Sequence, residues 1–181
     1  MTPSQPFSHP FRVADLAARK PTRFALEPDA AARGRIAADL GLLDLPQLAL
    51  RGELRPQGRH DWLLSAELTA TVVQPCVVTL APVSTAIREE VVRRYLADLP
   101  EPEGEETEMP EDDTAEPLPA VIDAGAVLTE ALALALPLYP RATEAEEVAV
   151  QVTEVGKTPM TDDDARPFAN LADLLRARKP D

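Results

Sequence analysis

The sequence predicts an α+β domain in which a mostly antiparallel sheet of about four or five strands carries helices packed on one face. Three observations point there. In residues 62–72, Trp62, Leu64, Ala66, Leu68, Ala70 and Val72 are apolar while Ser65, Glu67, Thr69 and Thr71 fall between them, the period of a strand with one wet face. From Asp123 to Leu136 the chain is apolar nearly all round and meets Pro137, as a helix buried against such a sheet would be. Between these segments, residues 98–120 hold ten acidic residues, no basic one and five prolines. Such a stretch cannot bury enough apolar area to offset its chain entropy, so it reads as a long acidic, mobile, disordered insertion.

The elements follow in order. Residues 1–20 read as an irregular tail interrupted by Pro3, Pro6 and Pro10. After Pro28, Asp29 can cap a helix with Ala32, Ile36 and Leu40 on one face and Gly41 as its left-handed stop. Residues 48–55 alternate Leu48, Leu50, Gly52 and Leu54 against Ala49, Arg51, Glu53 and Arg55, a half-buried strand. Pro56 to Asp61, with Gly58 inside, is the turn into the Trp62 strand. Residues 74–83 form a proline-bounded connection, and residues 85–97 return as a strand with Ile87, Val91 and Tyr95 on one side. Four-residue spacing also fits a helix there, but Val91, Val92 and Tyr95 prefer a pleated surface and the preceding strand needs a partner. The insertion need not split the domain, because lengthening a loop from five residues to 23 costs only about 1.3 kcal/mol of closure entropy. Asp123 caps the apolar helix, whose leucines are expected to be buried. Residues 166–179 form a short basic amphipathic segment with Phe168, Leu171, Leu174 and Leu175 on one side. The whole, residues 1–181, reads as one domain with these tails.

Composition limits the chemistry. The chain has 181 residues and a formal net charge of −13, of which the acidic stretch carries ten, leaving only −3 for the other 158 positions. Residues 1–59 are net basic, with nine Arg or Lys against six Asp or Glu. A single cysteine, Cys76, excludes an intramolecular disulfide and any multi-cysteine metal site. It lies in an apolar run, where a small hydrophobic role is the default. His60 is separated from it by the whole Trp62 strand, roughly 40 Å at 3.3 Å per residue, so no nucleophile and base are paired. The seven glycines build no phosphate-binding loop. Carboxylates in a hydrated run are poorly placed to act as general acids. No catalytic, cofactor-binding or metal-ligating residue is assigned. No amino-terminal secretory signal and no membrane-length apolar run is found, which predicts a cytoplasmic protein.

Three segments, in order, resemble the YceD family, the large ribosomal RNA subunit accumulation proteins of bacteria and plastids. They are the strand entering Pro75-Cys76-Val77-Val78-Thr79-Leu80, the helix from Ile122-Asp123 to Leu134-Ala135-Leu136-Pro137, and the terminal Pro167-Phe168-Ala169 with Leu171, Ala172 and Leu174. The match, acidic insertion included, spans roughly residues 45–178. The resemblance implies a non-enzymatic ribosome biogenesis factor supporting synthesis, processing or stability of large-subunit ribosomal RNA. Many relatives carry a second cysteine three positions after the first; here that position is Thr79, and one thiolate cannot hold zinc.

Two partner readings remain. In the first, ribosomal RNA or a pre-ribosomal protein is contacted through Arg19, Lys20 and Arg23 near the amino terminus and through Phe168, Arg176, Arg178 and Lys179 at the carboxyl end. In the second, an adaptor captures a basic ribosomal protein or a nuclease through the acidic insertion without touching RNA. Deleting residues 98–120 separates them, since RNA binding persists or tightens under the first and the partner is lost under the second.

Overall fold

Alternation in the middle of the chain becomes two long hairpins in the structure, a computed structural model that describes residues 7–98, 114–143, 145 and 156. In chain order the elements are β1 (Pro10–Arg12), a single 3-10 turn (Val13–Asp15), β2 (Thr22–Leu26), α1 (Ala30–Asp39), β3 (Asp44–Gln57), β4 (Asp61–Pro75), β5 (Pro82–Leu96), β6 (Ala115–Pro117), β7 (Val121–Asp123) and α2 (Ala124–Ala135). Five strands form one sheet in the order β2-β3-β4-β5-β6, and β1 pairs with β7 in a two-stranded sheet. All pairings are antiparallel except β5 with β6. The chain divides into two compact units, Met1–Ala142 and Thr143–Asp181; all of these elements belong to the first.

The α+β class and the mostly antiparallel sheet are as the sequence predicts. Trp62, Leu64, Ala66, Leu68, Ala70 and Val72 are all buried, as are Ile87, Val91 and Tyr95 on β5. Leu50, Leu54, Leu64, Leu68 and Val72 have no exposed surface at all. The register places Leu50 opposite Leu68 and Ala66 opposite Val91, so the inner face is continuous across β3, β4 and β5. Ile36 and Ala37 of α1 and Val127, Leu128, Ala131 and Leu132 of α2 enter the same core. The odd-numbered positions of β4 face outward and are polar or half-exposed.

Both helices start where the sequence places their caps. Asp29 accepts a hydrogen bond from the Ala32 N–H at 2.8 Å, and Gly41 takes φ of 67° just past the end of α1. Asp123 caps α2 by accepting from the N–H groups of Gly125 and Ala126 at 2.8 and 3.2 Å.

Three expectations are corrected. Residues 1–20 are not wholly irregular: Pro10–Arg12 pair with Val121–Asp123, and Phe7, Phe11, Val13 and Leu16 pack on the core. Asp123 is the reason they stay, since it also accepts from the Ser8 hydroxyl at 2.6 Å and the His9 N–H at 2.7 Å. Second, residues 98–120 do not leave the fold over their full length. Ala115–Pro117 form β6 on the edge of β5, with Arg94 N–H donating to Thr114 O at 2.8 Å and Leu118 N–H to Leu96 O at 2.9 Å. Ladder bonds and the pairing of Glu116 with Arg93 at 3.1 Å offset the ordering cost there; residues 99–113 lie outside the described residues. Third, not every leucine of α2 is buried. Leu128 and Leu132 are, but Leu134 is 74% exposed, because the helix turns it away from the sheet.

Candidate nucleic-acid interface

The amino-terminal basic residues converge on one end of the sheet. β2 starts at Thr22 opposite Leu54, and Arg23 lies opposite Glu53. From Leu54, β3 runs only to Gln57 before the turn that carries Arg59. The loop bearing Arg19 and Lys20 therefore reaches β2 beside that turn, and both side chains are exposed. Arg55, on the outward face of β3, joins them. Local charge in the sequence singles out Arg19, Lys20 and Arg23 and leaves Arg55 as an outward strand position; Arg59 enters only with the fold.

One carboxylate serves two guanidinium groups at this end. Arg23 Nε lies 3.6 Å from Glu53 Oε2 and Arg55 Nε 3.7 Å from Glu53 Oε1, with the Arg23 side chain 84% exposed. Exposed pairs of this kind contribute about 0–1 kcal/mol, so exchanging Glu53 for a phosphate costs little. Farther along the same outer face, Arg51 pairs with Glu27, and Arg88 with Glu67 at 2.7 Å. Phe168, Arg176, Arg178 and Lys179 lie outside the described residues.

At the opposite end of β4 the chain turns through Cys76. Leu80 N–H donates to Cys76 O at 3.0 Å, and Leu80 takes a positive φ of 61°. The Cys76 side chain is fully buried, and its Sγ accepts from the N–H groups of Val78, Thr79 and Ala142 at 3.5, 3.4 and 3.4 Å. The Thr79 side chain and the Ala142, Thr79 and Val78 N–H groups outweigh burial and lower the thiol pKa to about 6. Among the described residues no group of three or more His, Cys, Asp or Glu side chains is placed to hold a metal. The lowered thiol pKa couples proton release to folding. Because the folded pKa lies below the unfolded value of about 8.5, folding releases a proton between these limits, and stability rises with pH from about 6 to 8.5. Urea unfolding across that range is expected to show this slope in the native chain and to lose it in Cys76→Ala.

A family model described as "Large ribosomal RNA subunit accumulation protein YceD" matches residues 64–175. No curated protein and no solved structure matches the chain. Among the described residues no helix is long and apolar enough to cross a membrane.

Proposed function

The chain belongs to the YceD family of large ribosomal RNA subunit accumulation proteins, and from that premise we propose that it is a non-enzymatic cytoplasmic factor that touches ribosomal RNA through the basic end of its sheet. The observation that carries this reading is the sharing of Glu53 by Arg23 and Arg55, beside the loop of Arg19 and Lys20 and the turn of Arg59, all of these basic residues being exposed. Phosphate contacts of this sort act by counterion release, so affinity falls with added salt. Among the described residues the Phe24, Trp62 and Tyr95 rings at this end are buried, which favours backbone contact over base stacking. Phe168, Arg176, Arg178 and Lys179 remain proposed as a second contact.

The same end anchors the acidic stretch, which departs after Asp98 and returns at Thr114. That negative charge opposes phosphate, so deleting residues 99–113 is expected to tighten RNA binding rather than abolish it.

The test is a salt titration of binding to large-subunit RNA fragments. Replacing Arg19, Lys20 and Arg23 together by alanine is expected to reduce the slope of log K against log salt by about 2, from about 0.7 per lost single-strand phosphate contact. In cells lacking the native protein, the triple variant is expected to leave large-subunit RNA depleted while the native chain restores it. An unchanged slope together with full restoration would defeat the proposal.

A further inference from the structure

The outer face of the sheet at the basic end is not uniformly polar. Arg23, Glu53, Ser65 and Val92 form one row across β2, β3, β4 and β5, and Arg55 and Leu63 stand opposite each other in the next row toward the turn. Leu63 and Val92 are therefore diagonal neighbours on adjacent strands, within side-chain reach of each other. Their chain neighbours Leu64 and Val91 point into the core, which turns both outward, and both are half-exposed. Arg55 adjoins Leu63 and Arg23 heads the longer row, with side chains 53% and 84% exposed.

One row farther from the turn the face changes character. There Arg51, Glu67 and Glu90 lie opposite one another, and the nearby guanidinium groups are committed, Arg51 to Glu27 and Arg88 to Glu67. Carboxylates outnumber cations in that row, so it turns a polyanion away. At the other boundary Asp61 accepts from the Ala97 N–H at 2.9 Å, and Arg94, opposite Leu63, is already engaged. Between these boundaries a strip runs across the strands from Arg23 to Val92, about 14 Å at 4.8 Å per strand spacing. It is cationic at one end and aliphatic at the other.

Resting on the reading of the basic end as an RNA contact, we propose that this strip takes single-stranded rather than duplex RNA, with the nucleic-acid backbone crossing the strands from β2 toward β5. A phosphate replaces Glu53 between Arg23 and Arg55. The neighbouring ribose and base then lie on Leu63 and Val92, covering apolar surface that water otherwise wets. An unpaired strand can splay a base onto such a surface. A duplex keeps its bases stacked inside and offers only phosphates and sugar hydroxyls, which leave Leu63 and Val92 without a complement. The aliphatic contact needs no hydrogen bond to a base edge, so it carries affinity without reading sequence.

The experiment uses the full chain, a short uridine oligomer and the same oligomer annealed to its adenosine complement, read by fluorescence anisotropy over a range of salt. Tighter binding of the single strand is expected. Leu63→Thr/Val92→Thr, which puts β-branched side chains on the pleat, is expected to bind the oligomer roughly fivefold more weakly at every salt concentration. The salt slope and duplex binding are expected to stay as they are, because apolar contact releases no counterions. Ser65→Val, which extends the aliphatic surface beside Val92, is expected to tighten oligomer binding, a gain that an unstable variant cannot mimic. Duplex binding as tight as single-strand binding would overturn the proposal, as would unchanged oligomer affinity in both variants. So would oligomer binding that appears only once residues 99–113 are deleted, which would place the chain's own acidic stretch over the strip. A dimer in sedimentation that Leu63→Thr/Val92→Thr dissolves would do the same, by showing a second copy there. A salt slope unmoved by replacing Arg19, Lys20 and Arg23 defeats the basic end instead, so the two failures are read from different quantities.

Discussion

Replacing Asp123 by alanine is expected to destabilise the fold by about 3 kcal/mol. A lost helix cap accounts for about 1 kcal/mol, and the hydrogen bonds that the charged carboxylate accepts from Ser8 and His9 for about 2 more. Asp123 accepts from Gly125 and Ala126 at the start of α2 and from Ser8 and His9 of the amino-terminal segment. Burial raises the carboxyl pKa, but the Ser8 hydroxyl and the His9, Ala126 and Gly125 N–H groups outweigh it and hold it below its usual value. The depressed folded value means this stabilisation is complete above the unfolded pKa of about 3.9 and is lost as pH falls through the folded one. Urea midpoints of the native chain and Asp123→Ala should therefore differ at pH 7 and draw together in acid. Ser8→Ala should cost little more once Asp123 is gone, since the two side chains share one bond.

Gly52→Val is expected to cost about 3 kcal/mol, at the upper end of overpacking penalties. Gly52 lies on the inner face of β3, opposite Phe24 on one side and Ala66 on the other. A Cβ there would stand 2.3 Å from the Ser65 carbonyl oxygen and 2.5 Å from the Ala66 Cβ. The nearest atom belongs to the backbone, which cannot rotate aside, so β3 and β4 must separate. Gly34 serves as the control, because its Cβ would meet nothing within 4 Å. Thermal melts of Gly52→Val and Gly34→Ala should diverge, with Gly34→Ala neutral or slightly stabilised by helix propensity.

What the sequence made legible was whatever repeats with a short period. β4 declares itself because six alternate positions are apolar, and α1 and α2 because Asp29, Gly41, Asp123 and Pro137 punctuate them. Strands β1, β6 and β7 have only three residues each, too few for a period to show. Their partners are also remote or irregular, so local pattern carries no trace of them. Proline misled twice: Pro10 and Pro117 read as disorder, yet each sits at an end of a short strand, where a missing N–H is tolerated. In the candidate interface, Arg19, Lys20 and Arg23 were visible as local charge. Arg55 and Arg59 join them only when β2 is known to lie beside β3, and nothing in residues 22–26 announces that pairing.

The bond between the His9 N–H and Asp123 spans 114 residues, and it sets the order in which the molecule can be finished. A nascent chain emerges amino end first, so Ser8 to Arg12 must wait, unmated, until Val121–Asp123 have also left the ribosome. The earliest strand made is thus held open while both hairpins assemble, and it closes over them as a late clasp.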